Sequence, residues 1–223
     1  MKNKYIKVSH ISTRKFRFLI KCFSEDINAL SSARLCGLNR NTTQRIYGLL
    51  RERILDWSLE ETVPFSGEIE MDESYFGARR VRGKRGRGAS GKTPVIGLLK
   101  REGFVHVAVV KNAKRKELMP IIKGQALSGS TVYTDGWKAY DSLVTEGYKH
   151  KRIHHHNHEF ARGKNHVNGI ESFWSYAKYR MAKLRGVKRE RFVTHLVESA
   201  WRFNHRGESL YRLFLKKLRE QPL

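Results

Sequence analysis

Acidic residues are scarce in this 223-residue chain: 21 Asp and Glu stand against 45 Lys and Arg, a formal net charge of +24. Cysteine is scarcer still. Cys22 and Cys36 are the only two. They form no C-x-x-C pair, and two thiols complete neither a four-cysteine zinc site nor a disulfide framework. That usage fits a reduced, cytosolic setting. Long apolar runs are also missing. "FRFLI" (Phe16 to Ile20) is short and holds an arginine, far from the roughly 20 apolar residues of a membrane span. Lys2, Lys4 and Lys7 are followed by no apolar stretch, as a secretory signal would require. The expectation is a soluble, cytoplasmic protein without a membrane partner. No internal repeat is present.

What is abundant is positive charge, and it is clustered. Net charge says little about fold but much about partners, and an excess of this size points to a polyanion, most simply double-stranded DNA. "RRVRGKRGRGASGK" (Arg79 to Lys92) holds Arg79, Arg80, Arg82, Lys84, Arg85, Arg87 and Lys92, and no acid. It is too glycine-rich and charged to fold alone, so it is expected to order on phosphate. Its "GASGK" lacks the spacing of a nucleotide-binding P-loop. A second basic block, "KYRMAKLRGVKRER", starts at Lys178 and adds Arg180, Lys183 and Arg185. "HHHNH" (His154 to His158) is read as a DNA contact or a turn rather than a transition-metal site, because no cysteine or acid cluster accompanies it.

Periodicity divides the chain. Residues 1–62 read as helical. Ala29, Ala33 and Leu35 mark one short helix and Ile46, Leu49, Leu50 and Ile54 a second. Between them Gly37 suits a C-cap, and Asn39 or Asn41 an N-cap. Two helices across a short glycine-containing turn form a helix-turn-helix pattern, whose second helix is expected to present Arg40, Gln44, Arg45 and Arg51 to DNA. After Pro64 the pattern changes. "GEIEMDESYFG", "TPVIGLLK" and "FVHVAVV" read as strands, the last two joined by "REG". "KRKELMPIIKGQAL" is helix-like and should start or kink at Pro120. "STVYTD" is a fourth strand and "KHKRI" a candidate fifth. "GWKAYDSLVTEG", "NGIESFWSYAKYRMAKL" and "ERFVTHLVESAWRFNHR" read as helices. The expected class is α/β, a mixed sheet with packed helices. The expected segments are 1–62 (helix-turn-helix), 63–206 (sheet and helices) and 207–223 (a helical tail).

In so basic a chain the acids on strands need a reason. Bare carboxylates repel phosphate, and divalent cations such as Mg²⁺ reverse that sign. Asp72 lies inside a central strand. Glu70 and Ser74 share its face at period two, which makes Glu70 the nearest rival ligand, whereas Glu73 should point the other way. Asp135 ends a strand, where open α/β sheets place ligands. Asn168 to Glu171 has capping-box spacing, with Asn168 as the cap. Lys178, seven residues past Glu171, returns to the same helix stripe about 10 Å along. His166 lies close by in sequence.

"MDESYFG", "YTDGWKAY" and "HVNGIESFWSYAK" together resemble the three acidic motifs of DDE transposases from bacterial insertion sequences. The separations are 135 − 72 = 63 and 171 − 135 = 36, the second leaving 35 residues between, as in the D-D-35-E pattern. The resemblance spans Phe16 to Arg206. It implies a ribonuclease-H-like five-stranded mixed sheet with flanking helices, preceded by a small all-α helix-turn-helix region. It implies Asp72, Asp135 and Glu171 as catalytic metal ligands, with Asp72 shared between two Mg²⁺ or Mn²⁺ ions. It implies cleavage of element 3′ ends and their transfer to target DNA by a homodimer or larger synaptic assembly at the bacterial nucleoid. Some relatives carry Asn in place of the third acid, so Asn168 and Glu171 are both candidates. Glu171 is favoured because Lys178 follows at the family's spacing. The zinc ribbon of many relatives is absent for want of cysteines. The alternatives are a catalytically inactive DNA-binding regulator and a packaging protein. The Trp- and Tyr-rich core argues against packaging.

Overall fold

In the computed structural model, the described residues are 3–77, 92–135, 143–153, 167–184 and 186–223. The Arg79 to Arg87 cluster, the His154 to His158 run, His166, Arg185 and the start of "GWKAYDSLVTEG" lie outside them.

The chain forms two compact units, residues 1–60 with 186–223, and residues 61–185. In the first unit, α1 (Thr13–Ser24), α2 (Ala29–Cys36) and α3 (Arg40–Glu60) are joined by short turns. Ser12 Oγ accepts from the Lys15 N–H and Asn28 Oδ1 from the Ser31 N–H, each satisfying a donor that a helix start leaves open. Gly37 closes α2 at φ 57°, a left-handed conformation glycine adopts without strain. Asn39 Oδ1 then accepts from the Asn41 N–H at 2.8 Å, so Asn39 starts α3, rather than Asn41.

The sequence places residues up to 206 with the sheet and sets 207–223 apart as a tail. The packing differs. Trp201 of α6 (Phe192–Asn204) and Phe214 and Leu218 of α7 (Leu210–Glu220) complete one core with Phe16, Phe23, Leu50 and Trp57. α6 and α7 thus share in covering the apolar faces of α1 and α3, and the Trp57, Trp201 and Phe214 rings lie 5.0–6.1 Å apart, within range of favourable aromatic packing.

The second unit is built on β1 (Glu68–Phe76), β2 (Thr93–Lys100), β3 (Val105–Val109), β4 (Thr131–Asp135) and β5 (Lys149–Ile153), in the order β3-β2-β1-β4-β5. β1, β2 and β3 pair antiparallel with one another, whereas β4 pairs parallel with β1 and β5 parallel with β4. This is the ribonuclease-H-like arrangement expected, with "KHKRI" as the fifth strand. The "REG" turn joins β2 to β3, with Glu102 at φ 57°. Ile69, Met71, Ile96, Leu98 and Val132 pack beneath α4 (Arg115–Gln125) through Leu118, Met119 and Ile122. Pro120 lies within α4, which begins five residues before it. The helix therefore does not start at the proline.

The other face carries α5 (Asn168–Lys183). Ile170, Phe173, Trp174, Ala177 and Arg180 form its buried stripe. Gly97 on β2 makes room for it: a Cβ there would lie 2.6 Å from Trp174 Cζ2 and 2.9 Å from Ile170 Cδ1. Among the described residues, no helix is long and apolar enough to cross a membrane.

Candidate active site

β1 is central in the sheet, so Asp72 sits away from either edge. Its parallel partner fixes the second acid. Glu68 pairs with Thr131 and Glu70 with Tyr133. Continuing that register by two residues sets Asp135, the last residue of β4, level with Asp72. One carboxylate oxygen from each of Asp72, Glu73 and Asp135 lies within 4.8 Å of the others. Burial first, then the Asp135 charge and more weakly the Glu171 charge, push the Asp72 carboxyl up to about 6, while the Glu73 backbone N–H and the Trp174 indole oppose the rise. Glu171, exposed on the first turn of α5, is therefore near enough for its charge to be felt at Asp72.

Glu73 departs from the alternation that should turn it away. Among the described residues the β1–β4 ladder ends at the Glu70–Tyr133 pair. Beyond it a carboxylate oxygen of Glu73 comes within 4.8 Å of those of Asp72 and Asp135. Period-two reasoning misses this because it assumes paired neighbours along the whole strand. The signal available in the sequence was the adjacency of two acids on the strand.

Asn168 does not cap α5. Val167 occupies the cap position without a side-chain bond, and Asn168 is the first helical residue, exposed. The capping box fails because Glu70 supplies the acceptor instead: its Oε2 takes the Ile170 N–H at 3.0 Å. Glu70 is 1% exposed, and its other oxygen accepts from Arg101 Nε at 3.1 Å. It stands outside the cluster formed by Asp72, Glu73 and Asp135.

The basic residues also sort differently from expectation. Arg40, Gln44 and Arg45 are exposed on α3, as a DNA-reading face requires. Arg51 is not. Its Nε donates to Glu198 Oε2 at 2.8 Å and its Nη1 to Tyr47 O at 3.3 Å, and the guanidinium lies over the Phe23 and Tyr47 rings. Glu198 is fully buried and holds Arg202 as well, so Arg51 neutralises an interior acid. Arg180 is 6% exposed, because it continues the buried stripe of α5. Lys178 and Lys183 remain exposed on that helix and Lys92 is half-buried before β2.

The profile of a family described as the ISXO2-like transposase domain matches residues 64–204. An uncharacterized transposase-like protein of Haemophilus influenzae is 41% identical over 101 residues, covering 45% of this chain and 81% of that protein. An uncharacterized protein in transposable element ISH50 of Halobacterium salinarum is 34% identical over 146 residues, covering 58% of this chain and 50% of that protein. Among solved structures, the HTLV-2 integrase catalytic core in complex with magnesium is 10% identical at a TM-score of 0.39, covering 65% of this chain and 90% of that one. The Mos1 strand transfer complex is 9% identical at 0.33, covering 96% of each. These structural likenesses are distant.

Proposed function

Since the chain belongs to the ISXO2-like transposase family, we propose that it cuts the 3′ ends of an insertion element and joins them to target DNA. The observation that carries this reading is the convergence of Asp72, Asp135 and Glu73 within 4.8 Å, where β4 ends beside the middle of the parallel strand β1. Like charges so close are costly without a cation, and an all-carboxylate donor set matches Mg²⁺ or Mn²⁺. Asp72, Asp135 and Glu171 would hold the ions, two in number. Glu73 offers a further carboxylate, and Asn168 is the rival to Glu171. A bound divalent cation supplies positive charge that offsets the negative charge developing on phosphate and makes nearby water more acidic.

The chain's own groups position and hold. Asp72 and Asp135 are fixed by sheet register, while Glu171 rides on a helix pressed against that sheet. Lys178, two turns further along, is set to hold a DNA strand by its phosphates. Positioning and charge stabilisation of this kind carry most of the catalysis in phosphoryl transfer. In the other unit, Arg40, Gln44 and Arg45 on α3 form the face offered to element-end DNA. Joining two ends calls for a homodimer or larger assembly on double-stranded DNA, and the reaction places the chain at the bacterial nucleoid.

The test is end cleavage and strand transfer on element-end DNA with Mg²⁺ or Mn²⁺. Asp72→Asn, Asp135→Asn and Glu171→Gln should each lower turnover by at least about 10³-fold, a few kcal/mol of transition-state stabilisation, with DNA binding kept. Asn168→Ala should keep turnover within about tenfold. Normal turnover in all three acid variants refutes the metal assignment. DNA binding without turnover in the unaltered chain supports a DNA-binding regulator instead.

A further inference from the structure

Glu70 has a buried carboxylate with both oxygens committed, and neither commitment is to the acid cluster. Oε2 accepts the Ile170 N–H at 3.0 Å and Oε1 the Arg101 Nε–H at 3.1 Å. Ile170 is the third residue of α5, and Glu171 is the next. Glu70 lies two residues before Asp72 on the same strand and face. One side chain thus ties the strand bearing Asp72 to the turn bearing Glu171.

The surroundings favour that tie. Gly169 lies over the carboxylate: a Cβ there would sit 2.9 Å from Glu70 Oε2 and 2.4 Å from Leu99 Cδ2, so any larger residue would lift the first turn off the sheet. Arg101 also bonds Glu68 and stacks at 3.8 Å on the Tyr133 ring, and Tyr133 donates to Glu68 at 2.6 Å. The acceptor that meets α5 is held from β1, from the β2 end and from β4. An anion at a helix start is also favoured by the helix dipole.

We infer that Glu70 is a positioning residue, neither a metal ligand nor a catalytic group, which anchors the first turn of α5 so that Glu171 is presented to Asp72 and Asp135. A cation site needs its ligands held to within about half an ångström, and Glu171 is the one acid of the three that does not belong to the sheet. The inference rests on the function proposed above.

Two charge-neutral double variants isolate the hydrogen bond. Glu70→Gln with Arg101→Met keeps an acceptor for the Ile170 N–H and removes the donor that would compete for it. Glu70→Ala with Arg101→Met keeps none. The readouts are Mn²⁺ affinity of the full chain by electron paramagnetic resonance and amide hydrogen exchange at Ile170. The Gln pair is expected to bind Mn²⁺ within about threefold of the unaltered chain. The Ala pair is expected to lose tenfold or more, the range known for outer partners of metal ligands, with faster exchange at Ile170. Should the Ala pair fail to fold, the Gln pair alone still decides between positioning and ligation. Equal Mn²⁺ affinity in the two pairs overturns the inference. So does a Gln pair as weak as Asp72→Asn, which would make Glu70 a ligand. If the unaltered chain binds no Mn²⁺, the metal reading falls and the positioning role with it. Exchange at Ile170 would then still depend on Glu70, separating that failure from a mistaken contact.

Discussion

Replacing Asp72 with Asn removes the charge most strained by its neighbours. Its carboxyl, ordinarily near 3.8, is pushed up to about 6 by burial and by the Asp135 and Glu171 charges. Without a divalent cation, between about pH 4 and 6, the folded chain therefore holds a proton on Asp72 that the unfolded chain has released. Stability linked to this group is greatest below about pH 4, falls as pH rises toward 6, and is flat above. A shift of about 2 units corresponds to ~3 kcal/mol lost at neutral pH, at ~1.4 kcal/mol per unit. Asn is nearly isosteric and keeps an acceptor oxygen. In chelator at pH 7.5, Asp72→Asn should raise the melting temperature of the sheet unit on the order of 5–10 °C, and the gain should shrink to nothing by pH 4. Mg²⁺ should close most of that gap. The unaltered chain gains roughly 2.7 kcal/mol at one hundred times its dissociation constant, and the variant gains little. Thermal unfolding followed by circular dichroism, with and without cation across that pH range, reads both effects. A variant no more stable than the unaltered chain in chelator at pH 7.5, or stabilised equally by Mg²⁺, refutes the account of the acid cluster.

Three further outcomes are expected. Arg51→Ala removes one of the cations facing buried Glu198 and should cost about 1–3 kcal/mol in denaturant unfolding. Arg45→Ala, on the exposed face of α3, should change stability by less than about 0.5 kcal/mol while flattening the slope of log affinity against log salt for DNA by about 0.9. His106 on β3 has its imidazole pushed below the ordinary 6.5 by burial, so the unfolded chain takes up the proton first. The stability it contributes is present above pH 6.5 and lost on acidification below it. Denaturant midpoints between pH 7 and 5, measured with Asp72→Asn in place to remove the opposing slope, should decline less once His106→Gln is added.

Much of the sheet was legible because its strands announce themselves by alternation and by flanking glycines. The level placement of Asp72 and Asp135 follows from one fact, that β1 and β4 are parallel and in register from Glu68 and Thr131. Arg180 was read as part of the basic track on its charge, although it continues the buried period of Ile170, Phe173 and Ala177. Arg51 was not legible. Its partner Glu198 is 147 residues away, and no local pattern reveals a buried acid so distant. Asn168 shows a correct local pattern overruled from outside, because a better acceptor arrives from β1. The role of Glu70 is of the same kind: it depends on a helix 100 residues later.

The division of the chain has a bearing on its synthesis. Residues 61–185 are spliced into the helical unit between α3 and α6, and Trp57 finds Trp201 and Phe214 only once nearly the whole polypeptide exists. On the ribosome, the sheet and its acids can collapse while α1 to α3 still wait with an open apolar face. The helices proposed to grip element ends are then completed last, so a chain interrupted part-way carries the acid-bearing strands without a finished reader to direct them.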